Sequence, residues 1–283
     1  MKQKILTLQT LYREGQIRLK DRGIEEYQLD AWYLLEYITG ISKASYYGDP
    51  NRELSAAQAE EYRKCIEKRS ERIPLQHITG VQEFMGHEFF VNEHVLIPRQ
   101  DTEILVEHTL DKVEDGKKVL DMCTGSGCIL LSILKRYQVR GTGADISSEA
   151  LQVAERNRKH LALPRVEWLQ SDLFEKIEEK YDVIVSNPPY IQTGVIESLQ
   201  EEVRLHDPYI ALDGKEDGLY FYRRIIEGAK AYLEDGGWLL FEIGYDQAEP
   251  VTRLMEQAGY SEIHVKKDLS GLDRVAGARY NKN

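Results

Sequence analysis

Between Val119 and Leu134 an apolar run breaks on two closely spaced glycines and then resumes at helical spacing. The residues are Val119-Leu-Asp-Met-Cys-Thr-Gly-Ser-Gly-Cys-Ile-Leu-Leu-Ser-Ile-Leu134. This reads as a strand, a tight loop and a helix. Glycines let a backbone approach a ligand closely, and a helix start offers free N–H groups. After about Glu103, strand-like and helix-like patterns keep alternating, which favours a parallel sheet. A dinucleotide fingerprint would place a third glycine at position 130, where Leu130 stands, so Gly-X-Gly alone is also compatible with a plain turn.

Three further segments fall at the carboxyl ends of successive strand patterns, and in an open α/β sheet those ends line one crevice. Gly141-Thr-Gly-Ala-Asp145 ends on an acidic residue twenty positions after Gly125. Asp145 can bind ribose hydroxyls, cap the helix that starts near Ser147, or do both. Val166-Glu-Trp-Leu-Gln-Ser-Asp-Leu173 reads as a short strand. Its Asp172 could take a base's exocyclic amine and its Leu173 could pack on the base, or the segment is an ordinary polar turn.

The apolar strand Tyr181-Asp-Val-Ile-Val-Ser186 runs into Asn187-Pro188-Pro189-Tyr190. This is either a proline-rich turn or a cradle for a planar NH2 group. In the second case the Asn187 side-chain oxygen accepts one N–H and the Pro188 carbonyl accepts the other. The prolines preset the backbone, and the Tyr190 ring stacks on the plane.

Together these segments resemble the motifs of class I S-adenosylmethionine-dependent methyltransferases, which have a Rossmann-like sheet. Further matches narrow the resemblance to the HemK/PrmC family. They are Arg72-Ile-Pro-Leu-Gln-His-Ile-Thr-Gly80, Val95-Leu-Ile-Pro-Arg-Gln-Asp-Thr-Glu103, Ala211-Leu-Asp-Gly-Lys-Glu-Asp-Gly-Leu219 with Tyr222-Arg223, and Lys267-Asp-Leu-Ser-Gly-Leu-Asp-Arg274. The family methylates the side-chain amide of the glutamine in the Gly-Gly-Gln motif of class-1 peptide chain release factors.

The resemblance implies that Cys123, Thr124, Gly125, Ser126 and Gly127 surround the methionine moiety of S-adenosylmethionine. It also implies Asp145 at the ribose, Asp172 and Leu173 at the adenine, and Asn187 touching both cofactor and substrate. Asn187, Pro188, Pro189 and Tyr190 hold the substrate amide, with Asn187, Pro188 and Tyr190 as the catalytic set, and no metal is required. Arg99 and Glu103 line the pocket mouth or simply pair across a loop and a helix start. Two positions depart from the family pattern. Gln100 replaces a usual Pro and is expected to loosen a loop, and Lys215 replaces a usual Gly.

The expected organisation is a helical substrate-binding domain over residues 1–80, a β-hairpin linker over 81–103 with Gly86 in its turn, and the catalytic domain over 104–283. In the first part Ile5, Leu6, Leu8 and Leu11 begin a helical pattern, and a second spans Leu29 to Ile38. Tyr46 to Asn51 reads as turn-rich. Ser55 with Gln58 makes a capping box for a helix to about Arg72 that Pro74 ends, with Tyr62, Cys65 and Ile66 facing inward. Near the carboxyl end, Gly237 to Ile243 reads as a strand, and Ile263–Lys266 with Arg274–Arg279 as a closing pair.

Net charge is −11 over 283 residues. Through Met85 the basic and acidic residues cancel at 13 each, so the whole deficit lies in the catalytic part. An acidic catalytic domain disfavours duplex DNA, and no stable nucleic-acid partner is expected. The competing readings are an adenine-N6 methyltransferase, which would present the same planar NH2 to Asn187, methylation of another protein glutamine, and a binding module without turnover. Three cysteines form no disulfide framework or zinc spacing, which fits a reducing cytoplasm. No apolar run is long enough to span a bilayer, so no membrane partner is expected. Oligomeric state is not legible.

Overall fold

In the computed structural model, which describes residues 6–282, the chain divides into two units, residues 1–80 and 81–283. Ile5 lies outside the described residues. The first unit is helical. It comprises α1 (Leu8–Asp21), α2 (Tyr27–Thr39), α3 (Lys43–Gly48), α4 (Ala56–Ser70) and α5 (Leu75–Thr79). Leu8, Leu11, Trp32, Leu34, Leu35, Tyr62 and Ile66 form its core.

The Tyr62 hydroxyl, buried in that core, donates to the Ala31 carbonyl at 3.1 Å, which satisfies an otherwise costly polar group. Ser55 and Gln58 make the reciprocal capping box at the start of α4. Two expectations are corrected. Tyr46 and Tyr47 lie within α3, whose start Ser42 caps, so the turn begins only after Gly48. Helix α4 ends at Ser70 rather than near Arg72, because Arg72 takes a left-handed backbone (φ 68°) that no α-helix continues.

The second unit opens with the hairpin β1 (Val81–Phe84) and β2 (His87–Phe90), followed by α6 (Gln100–Leu110). Alternation then begins: β3 (Lys118–Met122), α7 (Cys128–Arg136), β4 (Arg140–Asp145), α8 (Ser148–His160), β5 (Glu167–Gln170) and β6 (Tyr181–Ser186). Three short helices follow, α9 (Thr193–Ile196), α10 (Glu201–His206) and α11 (Tyr209–Leu212). The chain closes with α12 (Tyr220–Tyr232), β7 (Leu233–Glu242), α13 (Ala248–Gln257), β8 (Ser261–Lys267) and β9 (Asp273–Arg279).

The sheet order is β5-β4-β3-β6-β7-β9-β8. Strands β5 through β7 are parallel, and β9 runs antiparallel to both β7 and β8. Successive strand residues face opposite sides. Leu120, Ile184 and Leu239 therefore pack with Tyr222, Ile225 and Met255 of α12 and α13. Val119, Val183 and Leu240 pack with Leu105, Ile129 and Ile133 of α6 and α7. Phe84 and Phe89 join this second cluster, so the hairpin is built into the second unit's core.

Gln100 is the first residue of α6, not part of a loosened loop. This first helical position is where proline is tolerated because its N–H has no intrahelical partner, so Gln there costs the helix little. Among the described residues, no helix is long and apolar enough to cross a membrane.

Candidate active site

Strand order reverses between β3 and β6, since the chain leaves β3 toward β4 and β5 but returns to β6 on the other side. This topological switch opens a crevice at the carboxyl ends of the strands. Ser186, the last residue of β6, fastens the two sides by donating its hydroxyl to the Met122 carbonyl at 2.6 Å. The cleft has a volume of about 140 Å³. Of the residues expected to form the site, Cys123, Thr124, Gly125, Ser126, Asp145, Asp172, Leu173, Asn187 and Pro189 line it. Gly127, Pro188 and Tyr190 do not.

The glycine loop follows β3. Cys123 and, after β5, Leu173 both take left-handed backbone conformations, with φ 60° and 50°. For side chains other than glycine these are costly, and such strain concentrates at ligand sites. Gly125 has φ 54°, and a Cβ there would meet nothing within 4 Å, so its backbone faces open cleft. Gly127 instead starts α7 and turns toward Ala154, Leu131 and Trp168. Burial pushes the Cys123 thiol well up and that of Cys128 up to about 12, so both are packing groups rather than nucleophiles.

Asp145 uses both carboxylate oxygens: Oδ2 accepts the Gly125 N–H and Oδ1 the Ser147 N–H, each at 2.9 Å. The cap of α8 belongs to Ser147, whose hydroxyl accepts the Ala150 N–H. Each Asp145 oxygen keeps a lone pair for a further donor in the cleft. Asp172 is held by Arg224, whose Nη1 donates to Oδ1 at 2.9 Å. Beneath the loop, Asp121 is fully buried, with Oδ2 accepting the Thr124 hydroxyl at 2.6 Å. Burial raises its pKa to about 7.

At the end of β6, Asn187 is half-buried and its Nδ2 donates to Thr102 Oγ1 at 3.4 Å. Thr102 in turn donates to Glu242 Oε2 at 2.6 Å. The Tyr190 hydroxyl donates to Glu242 Oε1 at 3.2 Å, so the ring is anchored below the cleft surface. Glu242 is 2 % exposed, and burial raises its pKa. Arg99 lines the cleft and binds Asp207 at 2.6 Å, which ties the α10–α11 segment to the start of α6. Glu103 does not line the cleft; its carboxylate accepts the Met85 N–H at 2.6 Å in the hairpin turn.

Thr102 and Glu242 were not singled out in the sequence. The available signal was Glu242 itself, an acid closing the apolar strand Trp238-Leu-Leu-Phe-Glu242.

The donor set suits S-adenosylmethionine. Gly125 offers open backbone, Asp145 retains acceptor capacity, and Leu173, Ile146, Val95 and Leu96 supply apolar walls for a base.

Comparison with known proteins agrees. Residues 10–80 match the PrmC N-terminal domain, and residues 99–204 match the methyltransferase small domain. A release factor glutamine methyltransferase of Geobacter sulfurreducens is 40% identical, covering 92% of each chain. That of Clostridium acetobutylicum is 42% identical, covering 91% of this chain and 93% of the relative. The solved structure of a methyltransferase from Pyrococcus furiosus superposes with a TM-score of 0.56 at 18% identity, covering 76% of this chain and 100% of that one. The strand order, the crevice at the switch point and this likeness over nearly the whole length give one answer: the chain has the class I methyltransferase fold and belongs to the release factor glutamine methyltransferase family.

Proposed function

We propose that the protein transfers the methyl group of S-adenosylmethionine to the side-chain amide nitrogen of the glutamine in the Gly-Gly-Gln motif of class-1 peptide chain release factors. The observation that carries this reading is Asn187 at the rim of the same cleft as Gly125 and Asp145, with its NH2 end already engaged by Thr102.

Cys123 to Ser126 would surround the methionine moiety, with Gly127 turning the chain into α7 behind them. Asp145 would face the ribose, and Asp172 with Leu173 the adenine. When bound, S-adenosylmethionine supplies an electrophilic methyl group on a sulfonium. The chain's own residues then have an orienting task. An amide nitrogen is a weak nucleophile because its lone pair is delocalised into the carbonyl. Asn187 Oδ1, on the cleft wall, accepts one of its N–H bonds and turns the nitrogen toward the electrophile. The Pro188 carbonyl, whose residue does not line the cleft in this structure, would take the second only once the substrate reaches past Asn187. These bonds strengthen as positive charge grows on nitrogen, so they favour the transition state over the ground state. Pro188 and Pro189 are buried and hold the turn rigid. Tyr190, fixed through Glu242, supports the turn from below. The helical unit, residues 1–80, grips the protein substrate, since a tripeptide alone offers little contact area.

The test uses methyl-labelled S-adenosylmethionine, a bacterial class-1 release factor, its Gly-Gly-Gln→Gly-Gly-Ala variant, and tRNA and DNA. Label on the unaltered factor alone is expected. Label only on nucleic acid would replace this reading with the adenine-N6 one.

A further inference from the structure

A carboxamide has two ends of nearly equal size and opposite hydrogen-bonding sense. If Asn187 is to receive an N–H from a substrate amide, its oxygen must face the cleft. The flipped rotamer would set NH2 against NH2 and repel the substrate. Shape alone does not choose between the two.

The hydrogen bonds around Asn187 do choose. Glu242 is 2 % exposed and, as a carboxylate, can only accept. Its Oε2 takes the Thr102 hydroxyl proton at 2.6 Å, a short charge-assisted bond. A hydroxyl has one proton, so Thr102 Oγ1 is left as an acceptor. The Asn187 atom that meets it at 3.4 Å must therefore be the NH2 group, which leaves Oδ1 for the cleft. At 3.4 Å this bond is long, and its contribution to stability is small. Its effect is on which of two orientations is occupied.

The geometry is well braced. Ser186 pairs with Phe241 across the β6–β7 ladder, so Asn187 and Glu242 leave adjacent strand ends. Thr102 is 3% exposed on the first turn of α6. The second Glu242 oxygen holds Tyr190, so one buried carboxylate supports both ends of the Asn-Pro-Pro-Tyr turn.

We infer that Thr102 and Glu242 are positioning residues that hold the Asn187 carboxamide with its oxygen toward the methyl acceptor; this rests on the acceptor role proposed for Asn187.

The test compares the full-length protein with its T102V, T102S and N187A variants on a release factor with labelled S-adenosylmethionine. It reads kcat, both KM values, cofactor affinity by calorimetry, and Tm. Valine keeps the shape of threonine without the hydroxyl. T102V is expected to lower kcat roughly ten- to a hundredfold while cofactor affinity stays near wild type. It also strips the buried Glu242 Oε2 of its hydrogen-bond donor, so Tm falls by several degrees, and T102S restores both kcat and Tm. T102S, which restores the hydroxyl, is expected to keep kcat within about threefold. If Val is not tolerated in the fold, T102A removes the hydroxyl without added bulk and carries the same expectation. Wild-type kcat in T102V or T102A, with N187A impaired, would overturn the positioning role alone. Equal losses in T102V and T102S would overturn it too, as a packing effect. A fully active N187A would overturn the acceptor reading and this inference with it.

Discussion

Asp145, at the end of β4, holds the glycine loop that follows β3: its Oδ2 accepts the Gly125 N–H at 2.9 Å, and its Oδ1 accepts the Ser147 N–H at the same distance. The carboxylate both shapes the loop and faces the cleft. Hydrogen bonds to a charged group are worth about 1.5–3 kcal/mol. Asp145→Ala should therefore weaken S-adenosylmethionine binding by roughly ten- to a hundredfold. Asp145→Asn should also weaken it, because one oxygen becomes an NH2 facing a backbone N–H. Calorimetric titration checks both, and unchanged affinity would remove Asp145 from the cofactor site.

Gly143 lies under the indole of Trp168, its partner on β5. A Cβ at 143 would come within 2.3 Å of Trp168 Cζ3, too close for any contact. The ring is also held by its Nε1–H bond to Glu155 at 2.9 Å, so it cannot simply swing away. Gly143→Ala should cost about 1–3 kcal/mol in urea unfolding. Trp168→Leu in the same background should cost less than the sum of the two single changes, since the smaller side chain relieves the clash. Additive losses would contradict the geometry.

Lys215 has φ 71°, a conformation glycine adopts without penalty. Its Nζ binds Asp213 Oδ2 at 2.8 Å; the Asp213 side chain is 7% exposed but the lysine end is 53% exposed, where solvent screens the pair and lowers its worth. Relief of strain should win. Lys215→Gly is expected to stabilise by up to about 1 kcal/mol, and Lys215→Ala, which keeps the strain and loses the pair, to destabilise. Urea midpoints in the order Gly, Lys, Ala would bear this out, and Gly below Lys would show that the ion pair dominates.

Burial raises the Asp121 carboxyl from 3.8 to about 7 in the fold. The folded state therefore binds a proton more tightly than the unfolded chain. The stability linked to this group is fully present below pH 3.8 and is lost as pH rises through about 7. Relative to Asp121→Asn, the unaltered protein should lose stability between about pH 4 and pH 8. Parallel pH dependences of the two urea midpoints would show that Asp121 does not titrate in this range.

The sheet was legible because its strands are short apolar runs ending in polar residues with specific chemistry. Tyr181–Ser186 is found with those bounds, and the ends at Asp145, Asp172 and Asn187 converge on one cleft. What surrounds those ends was not legible. Helices α9 to α11 are only four to six residues long and have no side-chain cap, so neither periodicity nor capping marks them. Gln100 looked like a weakened loop because its helical position depends on where α6 begins. Thr102 and Glu242 are 140 positions apart, and neither carries a local sign of the other. Their pairing follows from α6 packing beside β7, a tertiary fact.

Parallel pairing of β6 with β7 has a thermal consequence. The Asn187 carboxamide and the Glu242 carboxylate stand at the ends of strands laced together by one hydrogen-bonded ladder, flanked on both outer sides by further strands. Breathing of the sheet carries the two along together, and parting them requires the centre of the sheet to come undone. Loss of turnover on heating should thus coincide with melting of the catalytic unit rather than precede it.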